Sequence, residues 1–193
     1  YYAGAVIDTD TEKYYTAPDK TLSEQIEYPQ LFKQRKVVFE NLMIKIGSDK
    51  DWEFKGCEEV IFKNCEFTSE SCILKMISVG NVTFEGCKFS DFKNRVAYIS
   101  GINNLTVENC EFIECGCTYG WIQASGGVFC IYDGESFNEL KLVGNKLLNC
   151  YIARKTHDSN CWVTGVFFGF DRSSNPTRVQ VLNNSFVGCR CIN

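Results

Sequence analysis

The sequence contains no apolar run approaching the roughly 20 residues that a helix needs to cross a bilayer, so no helical membrane span is expected. It has no CxxC pair, the usual spacing of structural zinc ligands and dithiol motifs. Its one histidine, His157, sits in the polar stretch ARKTHDSN with no partner implied, and reads as a surface residue rather than a general base. Basic runs are missing too. Lys and Arg are scattered, the formal net charge is −4, and the one short cluster, FKQRK at 32–36, reads as a solvated turn. Nucleic-acid binding is therefore not expected. The chain starts at Tyr1 rather than Met, which reads as a processed chain or a fragment and leaves a secretory leader undecided.

What is present is a 193-residue chain, 45% hydrophobic and 14% aromatic, enough for one domain with a sizeable core. Its 12 cysteines are the strongest compartment signal. So many thiols, even in number, point to an oxidising compartment. Three sequons agree: Asn81-Val-Thr, Asn104-Leu-Thr and Asn183-Asn-Ser. Together they predict a secreted, extracellular or cell-surface protein bearing N-linked glycans.

The chain also repeats itself. VVFENLMI, VIFKNCEF, VTFEGCKF, LTVENCEF, LKLVGNKL and VQVLNNSF start at Val37, Val60, Val82, Leu105, Leu140 and Val179, spaced 23, 22, 23, 35 and 39 residues apart. A period in this range means a solenoid, and the longer spacings are insertions in single rungs. Within each copy the first and third positions are apolar, the period of a strand with one face inward. The fifth is Asn41, Asn64, Gly86, Asn109, Gly144 or Asn183. Asn and Gly tolerate left-handed backbone angles, so this position is a tight corner. The sixth position, Leu42, Cys65, Cys87, Cys110, Asn145 or Asn184, and the eighth, Ile44, Phe67, Phe89, Phe112, Leu147 or Phe186, turn inward again on a second strand. The seventh points out, and its charge alternates through Glu66, Lys88, Glu111 and Lys146, as stacked neighbours one strand spacing apart should.

Leucine-rich repeats share this consensus. The remainder of each rung separates the two solenoids. ILKMISV (73–79), RVAYIS (95–100), GGVFCIYDG (126–134) and TGVFFGFD (164–171) are β-branched and aromatic runs bounded by Gly, Asn and Asp. They read as third strands rather than helices. The expected fold is thus all-β, a parallel β-helix of about six rungs over residues 36–193.

RVAYISGINNLTVENCEF and VQVLNNSFVGC resemble the right-handed parallel β-helix repeats of pectin-lyase-like proteins. SGGVFCIYDG followed by FNELKLVGNKLLNC is more loosely similar to the repeats of polymorphic outer-membrane and adhesin proteins. The resemblance implies fold more than activity, because such residues specify rungs. Many β-helix proteins of this type cleave polysaccharides with clustered carboxylates and a basic residue, often with calcium.

Residues 1–35 depart from the period and read as an N-terminal strand and capping segment. YYAGAVI suits a strand, and TLSEQIEY (21–28) reads as a short helix, with Thr21 and Glu24 as a capping box and Pro29 after it. At the other end VGCRCIN stops partway round a rung. An open last rung invites a neighbouring copy stacked head to tail, with YYAGAVI as a strand for the open edge.

The cysteines divide by position. Cys65, Cys87 and Cys110 form one interior column, and Cys115, Cys150 and Cys189 a second. Each is a core residue or half of a bridge. The better bridge candidates lie in turns and insertions: Cys57, Cys72, Cys117, Cys130, Cys161 and Cys191. Cys115-Gly-Cys117 and Cys189-Arg-Cys191 have the wrong spacing for a zinc site, so no metal or other cofactor is expected.

For catalysis the candidates are Asp133, Asp171 and Arg172, after successive third strands, and the stacked pair Glu85 and Glu108. The simpler reading is turn chemistry for the first set and solvated positions for the second. Trp121 and Trp162 could stack on sugars, although packing is the default for Trp. The sequence therefore points to a non-enzymatic structural β-helix that associates with itself as a filament or coat subunit. A polysaccharide lyase or hydrolase, or an adhesin, is the alternative.

Overall fold

The structure, a computed structural model, describes residues 5–8, 11–22, 29–47, 50–69, 71–119, 127–132, 137–154, 166–170 and 176–192. The first four strands are β1 (Ala5–Asp8), β2 (Glu12–Leu22), β3 (Leu31–Phe32) and β4 (Lys36–Ile46). β4 is bent at Asn41, whose φ is 57°. Its first half pairs with Glu59–Lys63, and its second half with Glu66–Ser69. From there the largest sheet runs up two flanks of the coil. One flank continues through Asn81–Glu85, Asn104–Glu108, Glu139–Val143 and Arg178–Leu182. The other continues through Lys88–Ser90, Glu111–Ile113, Lys146–Leu148 and Ser185–Val187. A second sheet stacks β3, Trp52–Lys55, Leu74–Ile77, Ala97–Ser100, Phe129–Tyr132 and Phe168–Phe170. These last four are the third strands expected from the sequence. All these pairings are parallel, as successive coils of one chain require.

The register follows the repeat. Val37, Val60, Val82, Leu105, Leu140 and Val179 are successive partners. So are Met43, Glu66, Lys88, Glu111, Lys146 and Ser185. The reason is steric: a one-residue slip would turn every apolar side chain outward. All six corner residues are left-handed, with φ from 49° at Asn64 to 67° at Gly144.

Stacking fills the interior with like on like. Tyr15, Phe39, Phe62 and Phe84 form a pile with ring centroids 4.8, 5.2 and 4.9 Å apart. Phe67, Phe89 and Phe112 form another at 5.2 and 5.1 Å. These distances match the ~4.8 Å spacing of neighbouring strands, so offset stacking of the rings comes with backbone pairing. Adjacent piles meet edge to face, as Phe62 does with Phe67.

The N-terminal segment differs from expectation. Thr21 and Leu22 do not open a helix. They end β2, paired in parallel with Leu42 and Met43. Residues 23–28 lie outside the described residues. A capping box is worth ~1 kcal/mol. Docking β2 instead supplies backbone bonds along the β4 edge and seats Tyr15 on the phenylalanine pile. β2 is therefore a further turn of the coil before the first recognised repeat. β1 then pairs antiparallel with β2, Ala5 opposite Thr16 and Asp8 opposite Lys13. This corrects the expectation that the YYAGAVI strand is spare for the far end, since it is used inside its own chain.

A third sheet lies beyond what the repeat implies. Gly116–Tyr119, Tyr151–Arg154 and Arg190–Ile192 stack in parallel within the longer rungs. They follow a second corner, where Glu114, Asn149 and Gly188 have φ of 52°, 53° and 66°.

Gly144 shows how tight the first corner is. Besides its φ of 67°, an added Cβ would lie 2.4 Å from Oδ1 of Asn109 in the rung below. Gly144→Ala should destabilise the protein by roughly 2 kcal/mol or more, through backbone strain plus the clash. Adding Asn109→Gly should recover the steric part. Chemical denaturation of the single and double variants checks this, with a coupling beyond additivity expected.

Candidate functional site: corner columns and outer ladders

Behind each corner runs the inward column Leu42, Cys65, Cys87, Cys110, Asn145 and Asn184. A carbonyl has two lone pairs, so a strand carbonyl can accept a side-chain donor beside its ladder bond. The column supplies such donors. The Cys87 thiol donates to the Phe62 carbonyl one rung below at 3.3 Å. One of the Asn145 Nδ2 hydrogens goes to Val107 O at 2.8 Å, and Asn184 Nδ2 donates to Leu142 O at 2.8 Å. The three acceptors occupy the same, third position of their repeats. Asn145 also accepts from the Cys110 amide at 2.9 Å and donates to Asn184 Oδ1 at 2.9 Å. It is buried, with both ends of its amide used. Thiol and amide thus serve equivalent carbonyls in different rungs, and the amide of Asn145 also accepts.

The second column repeats the device. Cys115, Cys150 and Cys189 donate to Phe89, Phe112 and Leu147 carbonyls at 3.4, 3.4 and 3.6 Å. All six column cysteines are free thiols. Burial drives the Cys65 and Cys110 thiols well above the ordinary thiol range, and hydrogen bonds to Cys87 between them add to the shift.

The bridge candidates lie apart from these columns. Cys57 is buried and directs its thiol at Phe32 O, 3.7 Å away. Cys72 and Cys130 are buried. Cys117 is buried beside the Arg95 guanidinium, with Nη2 at 3.1 Å from Sγ. Cys191 is exposed. Cys117 and Cys191 share the third sheet with Ile152 between them. Two strand spacings, roughly 10 Å, exceed disulfide reach for that pair. Cys161 falls outside the described residues. Among the described residues no three His, Cys, Asp or Glu side chains are grouped to hold a metal.

The outer face carries ladders. The first residues of successive strands are Lys36, Glu59, Asn81, Asn104, Glu139 and Arg178, in register. They form three clasps. Lys36 pairs with Glu59 at 2.8 Å, Asn104 Nδ2 donates to Asn81 Oδ1 at 2.7 Å, and Arg178 pairs with Glu139 at 3.4 Å. Each exposed ion pair is worth ~0–1 kcal/mol, so the clasps add more to register than to stability. In the alternating column expected from the sequence, Lys146 meets Glu111 at 3.2 Å.

Glu85 and Glu108 are partners in register, as their repeat position implies. Each binds a lysine on its far side: Lys63 reaches Glu85 at 3.8 Å, and Lys141 reaches Glu108. The structure thus sets both carboxylates in ion pairs. Asp133, Asp171, Arg172, Trp121, Trp162 and His157 lie outside the described residues. Asn183 is at the exposed corner of the last rung.

Two shallow grooves follow corners. One of 670 Å³ is lined by Lys45, Thr68, Ser69, Asp91 and Lys93, and Lys93 links it to a 300 Å³ recess beside Glu114, Asn149, Tyr151 and Arg190. The other, of 290 Å³, runs over Gly56, Ser78, Gly80 and Gly101, where the third strands turn.

Coiled parallel sheets with inward corner ladders define a parallel β-helix solenoid. The family model for the right-handed β-helix region matches residues 30–191, and the chain belongs to that family. No curated protein and no solved structure matches it. Right-handed β-helices occur among both enzymes and non-enzymes.

The buried thiols tie stability to pH. A thiol whose folded pKa is raised stays neutral in the fold but ionises when unfolded. Its contribution is complete below about pH 8.5, the ordinary thiol value, and is lost as pH rises. Under reducing conditions the unfolding free energy should fall between pH 8 and 10, by up to ~1.4 kcal/mol per pH unit for each such thiol. Urea titrations across that range test this, and Cys65→Ala with Cys110→Ala should flatten the slope.

Proposed function

We propose that the chain is a structural β-helix of a secreted or cell-surface protein, a glycosylated scaffold that associates head to tail. The observation that supports this is its last rung. Val179, Val181, Leu182, Phe186, Val187 and Ile192 are between 41% and 55% exposed, whereas Leu140, Leu142 and Leu147 one rung below are fully buried. The three strands of this rung sit in register on the rung before, and among the described residues no strand pairs with their other edges. An open apolar edge of this kind is closed by another rung, supplied by continuing chain or by a second copy. At the opposite end, among the described residues, β1 covers the Lys13–Thr16 stretch of β2, and β3 is the outermost strand of its sheet with Leu31 44% exposed. A second copy can therefore bring strand edges and apolar side chains to the same contact. Because the two surfaces differ, the contact is heterologous and propagates.

A second reading, carbohydrate-active or adhesive, draws on the corner groove with Lys45, Lys93, Tyr151 and Arg190 along it. It predicts a monomer that binds or turns over oligosaccharide.

Sedimentation and negative-stain imaging of the 193-residue chain separate the two. Head-to-tail association predicts concentration-dependent growth in mass and linear particles. Phe186→Asp and Val181→Asp, each placing a charge on the open rung, should return the chain to a monomer. A monomer at every concentration would contradict the proposal.

A further inference from the structure

The middle clasp of the outer ladder is made of two sequon residues. Asn81 and Asn104 are direct partners in register, one strand spacing or ~4.8 Å apart. Thr83 and Thr106, which complete the two sequons, are partners as well. A branched glycan is far wider than one strand spacing, so two cannot leave the sheet side by side at these positions.

The two amides are not equivalent. Nδ2 is the atom that takes the sugar. In Asn104 that nitrogen donates to Asn81 Oδ1 at 2.7 Å. In Asn81 it makes only a 3.5 Å contact, to Glu58 O, at the outer limit of hydrogen bonding. Asn81 is exposed, and Asn104 half-buried. Asn81 follows Gly80, whose rung is the middle one of the groove over Gly56, Ser78 and Gly101. A first sugar on Asn81 has the groove over Gly80 and Gly101 beside it, bordered by Glu58 and Asn103.

We infer that Asn81 is a single-occupancy glycan site and that Asn104 is its clasp, kept bare in the folded protein. The inference rests on the secretory reading proposed above. In the transfer, Nδ2 of Asn81 bonds to C1 of the sugar as the C1–O bond to a polyprenyl diphosphate donor breaks. One N–H proton is given up, and the diphosphate leaves. Asn81 keeps Oδ1, so it goes on accepting from Asn104 after modification. A sugar on Asn104 would instead load the nitrogen that makes the clasp.

The test is to pass the full chain through a eukaryotic secretory host and map glycopeptides of the folded, secreted fraction. The expected result is a glycan on Asn81 and none on Asn104. Thr83→Ala removes the sequon but leaves the Asn81 side chain in the clasp, and Asn104 should stay bare in that variant. Occupancy of Asn104 in either protein, occupancy of both sites, or a bare Asn81 would overturn the inference. Native material that lacks glycan while the expressed chain carries it on Asn81 would count against secretion alone, leaving the site assignment standing.

Discussion

Everything in this protein depends on stacking in register at a single strand spacing. Each residue has as its nearest neighbour the residue one coil away, so a side chain must pack on its own equivalent. The phenylalanine piles obey this, with rings at the spacing of the strands. So do the corners, where one backbone geometry recurs in all six repeats. The inward columns obey it too, because a strand carbonyl of one rung meets the side-chain donor of the next.

The same constraint separates what the sequence discloses from what it hides. A column defined by apolar alternation and a left-handed corner leaves a signature in one dimension. Val37, Asn41, Leu42 and Ile44 align with their counterparts in five later rungs, and their pairing follows that alignment. The turn made by β2 leaves no such mark. Four residues, 17–20, stand opposite Asn41 alone, and the register shifts between Thr16 and Thr21. Asn41 fills the wide corner by donating to Ala17 O at 2.9 Å. Without Asn or Gly at the expected place, the segment loses its period. The capping-box residues then suggest a helix that Thr21 and Leu22 do not form.

The third sheet is hidden for a different reason. Its strands start 11 residues after Leu105, Leu140 and Val179, a fixed offset, but GCTY, YIAR and RCI share no residue pattern that marks a strand. Left-handed corners at Glu114, Asn149 and Gly188, equally placed in the three rungs, set where each strand begins. The candidate surfaces divide similarly. The Glu85 and Glu108 stack is legible, whereas their ion pairs with Lys63 and Lys141 depend on side chains reaching diagonally or to the next rung. The Asn81–Asn104 clasp lies within reach of the alignment, since it needs only the first residue of each strand.

The column cysteines act as single thiols that donate to rung carbonyls, and the coil is held through register rather than through covalent staples. Thiol alkylation followed by peptide mass spectrometry, without reductant, tests it most directly. Cys65, Cys87, Cys110, Cys115 and Cys150 should resist labelling in the native protein and label fully once it is unfolded. If any of these five remains unlabelled after unfolding until a reductant is added, it is bridged, and the account of the columns is contradicted.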